Sequence, residues 1–145
     1  MMLLLCSRSD SVRQRWLEAF QTGETVCQAS SVRETLDHIH RFAIDIVLLH
    51  RSLINTEELD EILAVSSGLK VIVLSDRPDD QEGLVCLQHG CVGYANTYLT
   101  ASKLHAAVEA VSSGLVWVNS SLMSLLINGI PKSPRQKNTG KNGKK

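Results

Sequence analysis

Residues 44–53 read IDIVLLHRSL, and how they are read decides the fold. Ile46, Val47, Leu48 and Leu49 form an unbroken apolar run. A strand with one wet face would alternate, so this one must be covered on both faces, which is the condition of a central strand in a parallel sheet. The run stops on His50, with Arg51 behind it. In a doubly wound sheet ligands bind outside the carboxyl ends of the strands, so a histidine there is either chemistry or the filling of a space where chemistry was lost.

Working outward, the same unit recurs. On the C-terminal side NTEELDEILAVSSG predicts a helix: Asn55 or Thr56 can cap it, acids occupy its first turn where the macrodipole favours them, and Gly68 follows it. LKVIVLSD is a fourth strand, DDQEGLVCLQHG a helix, CVGYANT a fifth strand and TASKLHAAVEAVSSG a helix with Leu104, Val108 and Val111 in register. On the N-terminal side Leu3 to Cys6 begin a strand, and Val12, Trp16, Leu17 and Phe20 follow at helical spacing. ETVCQAS is a weaker strand, and Val32, Leu36 and Ile39 make a helix that Ser30 or Ser31 can cap. Five alternating units with short loops predict an α/β fold: a doubly wound, five-stranded parallel sheet with helices on both faces. An extra C-terminal helix over residues 119–130 carries Leu122, Met123, Leu125, Leu126 and Ile127, more apolar surface than a single stripe requires.

The chain of 145 residues, 43% hydrophobic, suits one such domain. No apolar run approaches the ~18 residues of a membrane span, and no secretory leader is evident, so a soluble, cytoplasmic protein is expected, without membrane partners. Cys6, Cys27, Cys86 and Cys91 lack metal-ligand spacing and read as buried, reduced thiols. The zero net charge conceals an asymmetry. Residues 1–130 hold all fifteen acids against nine bases, while residues 131–145 hold the other six bases and no large apolar side chain, and read as a disordered basic tail.

DIVLLH, VIVLSD and LQHGCVGYANTYLTASKLHAAVEAVSSG together resemble the receiver domain of two-component response regulators, in particular the CheY-like receivers of LuxR-type regulators, over residues 1–118. That resemblance implies a phosphoacceptor aspartate where His50 stands, a Mg²⁺-binding acidic pair where Ser7 and Arg8 stand, and a phosphoryl-contacting lysine where Thr97 stands. With these parts replaced it implies a degenerate pseudo-receiver without metal or other cofactor, because aspartyl phosphorylation needs a carboxylate nucleophile, hard oxygen ligands for the cation and a second positive charge. Two positions of the family's conformational switch match: Ser75 at the end of strand four and Tyr94 in strand five. Asp76, Asp79 and Asp80 read as solvated loop acids; the alternative pairs Asp76 with Arg8 or His50, as an internal substitute for the lost charges.

Three functional readings follow. The first is a phosphorylation-independent interaction module in bacterial signalling or transcription regulation, not an enzyme, which presents helix four, strand five and helix five to a protein partner or forms a homodimer. Its expected contact residues are Leu104, Val108, Leu122, Leu125 and Leu126, with the C-terminal helix acting alone or beside helix five. The second is a non-specific nucleic-acid binder working only through the basic tail. The third is a small-ligand sensor or an enzyme using the rim of Ser7, Arg8, His50, Ser75 and Thr97, which on sequence shows donors but no nucleophile paired with a base.

Overall fold

In the computed structural model, residues 1–20 and 23–129 are described; the basic segment 131–145 lies outside them. The apolar runs form a single parallel sheet of β1 (Met2–Cys6), β2 (Thr25–Ala29), β3 (Ile46–His50), β4 (Lys70–Ser75) and β5 (Gly93–Asn96), in the order β2-β1-β3-β4-β5. This is the flavodoxin-like winding expected from the sequence, with β1 and β3 adjacent at the point where the strand order reverses. Every residue of β3 is buried, as its unbroken apolar run requires, while the edge strand β2 buries only Ala29 fully.

Strand pleating sorts the core into two layers. Leu3, Leu5, Ile46, Leu48, Ile72 and Leu74 face α1 (Asp10–Leu17) and α5 (Ala101–Ser112). Leu4, Cys6, Val47, Leu49, Val71 and Val73 face α2 (Val32–Arg41), α3 (Thr56–Val65) and α4 (Asp80–Gln88). Burying each large aliphatic side chain stabilises the fold by about 1.5–3 kcal/mol, so these layers dominate its stability. The caps are local. Ser31 accepts from Glu34 N, Asn55 closes a capping box with Glu58, Asp79 accepts from Glu82 N and Thr100 from Lys103 N.

The C-terminal helix α6 (Ser120–Gly129) forms where expected but lies elsewhere. It rests on α4, not on α5. Leu122 is fully buried in the α4-side core, and a Cβ added at Gly83 would lie 2.6 Å from Leu122 Cδ2 and 2.6 Å from Tyr94 Cδ2. Gly83 is therefore what lets α6 approach α4 so closely. Before α6 the chain runs along the open edge of β5: Tyr94 N–H donates to Trp117 O and Trp117 N–H to Val92 O, so Trp117 bridges Gly93 as a stub of a sixth strand. An apolar segment read from sequence as surplus thus covers a sheet edge.

The expected contact set is corrected accordingly. Leu104, Val108 and Leu122 are buried inside the chain at 2%, 1% and 0% exposure, so they cannot meet a partner without unfolding it. Leu125 and Leu126 are half-buried. The large apolar side chains that do face solvent include Leu115, Val116, Tyr98 and Ile127.

Candidate functional site

Strand register brings the rim together. β1, β3 and β4 end side by side, so Ser7, His50, Ser75 and Asp76 converge at the carboxyl edge of the sheet, and Thr97 follows β5 with its N–H donating to Ser75 O. Ser7, His50, Ser75 and Thr97 are all buried. Arg8 departs from the expectation: its side chain is exposed, because β1 ends at Cys6 and, after the buried Ser7, the chain turns outward into the cap of α1. No hydrogen bond or ion pair involving the Arg8 side chain occurs among the described residues.

His50 organises the site. Its Nδ1 lies 2.7 Å from Ser7 Oγ, and its Nε2 lies 2.8 Å from Asp76 Oδ1. The Asp76 carboxylate can only accept, so Nε2 must donate, and in that tautomer Nδ1 accepts from Ser7 Oγ, which itself accepts the Ser9 N–H at 3.0 Å. Nε2 then carries the proton and donates to the carboxylate, the tautomer this network assigns. Ser52 Oγ sits 3.3 Å from the same Nδ1, and the Trp16 indole meets the imidazole edge-on at 5.9 Å while its Nε1–H donates to Thr97 O at 3.0 Å. Both ring nitrogens are thus occupied from within, and the ring plane is fixed by an aromatic wall.

The carboxylate is held in its charged form. The hydrogen bond from His50 keeps the Asp76 carboxyl below the usual range, and Thr97 reinforces the effect from farther off, although its buried Oγ1 makes no well-formed hydrogen bond of its own. Of the two readings of the loop acids, Asp76 follows the paired one, with His50 and not Arg8 as its partner. Asp79 caps α4, and Asp80 accepts a hydrogen bond from Ser121 at the start of α6.

Ser7, His50 and Asp76 also form a hydroxyl–imidazole–carboxylate chain, the nucleophile–base pairing that sequence alone left unseen. It is geometrically unsuited to acyl transfer, because Ser7 is 0% exposed and its oxygen is turned into the fold between His50 and the Ser9 amide. Nor does the rim fit the divalent cation of a phosphorylating site. The position of the acidic pair holds a buried hydroxyl and an outward guanidinium, and the Asp76 carboxylate is bound to His50. Among the described residues no group of three His, Cys, Asp or Glu side chains could hold a metal ion.

A second network leads away from this rim toward α6. Tyr94 is buried; its hydroxyl donates to Glu82 Oε1 at 2.5 Å and accepts from Asp79 N at 2.9 Å. Burial, and then the Glu82 carboxylate, push its phenol up to about 12. Glu82 in turn pairs with Arg51, 3.1 Å from the guanidinium Nε, and Arg51 also donates to Ile54 O. Glu82 is the residue the sequence reading missed. Nothing in a helix-face glutamate marks it as the carboxylate that joins Tyr94 to Arg51.

No family model matches this chain, and no curated protein matches it. Solved structures do. A two-component response regulator of the LuxR family from Aurantimonas sp. SI85-9A1 superposes with a TM-score of 0.75 at 18% identity, over 88% of this chain and 96% of that one. The RcsB response regulator of Salmonella typhimurium gives 0.79 at 14% identity, over 93% and 73%. A LuxR family DNA-binding response regulator from Silicibacter pomeroyi gives 0.72 at 18% identity, over 83% and 98%. At these identities the likeness establishes the receiver fold.

Proposed function

We propose that this chain is a pseudo-receiver: a receiver-type domain that acts without phosphorylation, as a protein–protein interaction module in bacterial signal transduction or transcription regulation, in the cytoplasm and without catalysis of its own. The likeness to two-component receivers supports the signalling role, and one observation carries the rest. The strand end that would present an acceptor carboxylate presents His50, whose two nitrogens are taken by Ser7 and Asp76. A site whose donors and acceptors satisfy one another offers neither a nucleophile nor cation ligands.

The contact surface follows from what remains exposed. α6 packs on α4 and the segment before α6 pairs along β5, which leaves the available face to α5 and that segment. There Tyr98, Leu115 and Val116 are exposed at 51%, 62% and 46%. Beside them is a mostly apolar cavity of about 340 Å³ reaching Asn96, Lys103 and Trp117. A face of this kind suits a protein partner or a second copy of the chain. The test of the reading is exposure to acetyl phosphate with Mg²⁺, followed by intact mass measurement. No phosphoryl adduct is expected; a stoichiometric adduct would overturn it.

A further inference from the structure

We propose that Cys86 and Cys91 form a reversible intrachain disulfide, in which a peroxide oxidises Cys86 and Cys91 resolves it. The pairing is built into the end of α4. Gly90, at φ +115°, ends the helix; its N–H donates to Leu87 O at 3.0 Å and Cys91 N–H donates to Cys86 O at 3.1 Å. This is the paired hydrogen-bond pattern of a Schellman stop, which brings the side chain just past the helix against the one in its last turn. Here those two side chains are both cysteines. Both thiols lie in the α4-side core, and both are unbridged.

The two thiols differ in the way such a step requires. Cys86 lines a cavity of about 310 Å³ between α3 and α4, which also reaches Arg51, Leu59 and Glu82 and is roomy enough to admit a peroxide. Cys91 is not among the residues lining it. The neighbouring Cys91 thiol holds Cys86 below the ordinary thiol range, with Arg51 and His89 adding to the effect and burial and Glu82 opposing it. Cys91 is pushed up by the same partner, by burial and by Asp60. Cys86 therefore ionises first, and the thiolate is the nucleophile. It attacks one peroxide oxygen, the O–O bond breaks, and one water leaves with a proton taken up, giving a sulfenic acid. The Cys91 thiol then attacks that sulfur, the S–S bond forms and the second water leaves. The peroxide gains two electrons and the two thiols lose them; an added dithiol reduces the bridge back to two thiols and is itself oxidised to a disulfide.

The experiment uses the full chain. After brief treatment with hydrogen peroxide, remaining thiols are alkylated under denaturing conditions and the tryptic peptides weighed. Cys86 and Cys91 fall in one peptide, residues 71–103, since Arg77 precedes proline. The expected peptide is lighter by two hydrogen atoms and unalkylated, with Cys6 and Cys27 fully alkylated, and dithiothreitol restores both alkylation sites. With Cys91→Ser, dimedone should instead trap a sulfenic acid on Cys86. Full alkylation of Cys86 and Cys91 in the wild type, while Cys27 has gained oxygen, would overturn the proposal. So would Cys86 oxidised to the sulfinic acid without a bridge, and neither result depends on the variant folding.

Discussion

His50 Nε2 donates to Asp76 Oδ1 across 2.8 Å, tying the buried end of β3 to the half-exposed residue that follows β4. The carboxyl of Asp76 is depressed in the folded state, first by His50 and then by Thr97. Its contribution to stability is therefore present above the ordinary aspartate value near 4 and is lost as pH falls through the lower folded value. Unfolding free energies of the wild type and Asp76→Asn, from urea titrations between pH 7 and pH 3, should differ at neutral pH by up to about 1 kcal/mol, as suits an exposed carboxylate. The two should converge in acid. A gap that widens as pH falls would contradict the pairing.

Replacing His50 tests the buried side of the same link. His50→Ala removes the acceptor of the Ser7 hydroxyl and the edge contact with Trp16. An unsatisfied buried hydroxyl costs about 1–3 kcal/mol, and the void adds to it. Adding Ser7→Ala to the His50→Ala protein should then cost less than Ser7→Ala does alone, a coupling that a double-mutant cycle on chemical denaturation reads directly.

Gly83 makes a third prediction. Its missing side chain is the space in which Leu122 and the Tyr94 ring lie, each at 2.6 Å from where a Cβ would be. Alanine in a helix ordinarily gains about 1 kcal/mol over glycine. Here it should destabilise, because overpacking costs about 1–3 kcal/mol. Leu122→Ala in the same chain should relieve part of that cost, and calorimetry of the two single variants and the double variant decides it. A stabilised Gly83→Ala would mean that α6 does not rest on α4.

Self-association is tested on the exposed face and not on Leu122, whose charged replacement would open the core. Sedimentation equilibrium at micromolar concentration should show a wild-type dimer and a Leu115→Glu, Val116→Glu monomer. A monomeric wild type would discard the second-copy arm and leave the face to a different protein.

How legible was all this in the sequence? The sheet was legible because β3 and β4 are buried on both faces, and continuous apolar runs admit few other readings. Two caps were legible for a similar reason, since Ser31 and Asn55 sit just before their helices, while Ser9, Asp79 and Thr100 went unread. The site residues were readable one at a time, by their place at strand ends, yet their partners were not. That Arg8 turns outward depends on β1 ending at Cys6. That Asp76 turns inward depends on a histidine 26 positions away in sequence. The seat of α6 was hidden for another reason: an apolar helix carries no address, and the notch that receives it is an absence, the missing side chain of Gly83.

The central claim is that the receiver-like rim is closed by its own side chains and takes no phosphoryl group. It is tested most directly by ¹⁵N–¹H NMR of the full chain titrated with beryllofluoride and Mg²⁺, alongside His50→Asp. In both proteins the amides of Ser7, residue 50, Ser75, Tyr94 and Thr97 are expected to stay in place, since restoring an acceptor carboxylate does not restore cation ligands. Saturable shifts of those amides in the wild type would contradict the claim.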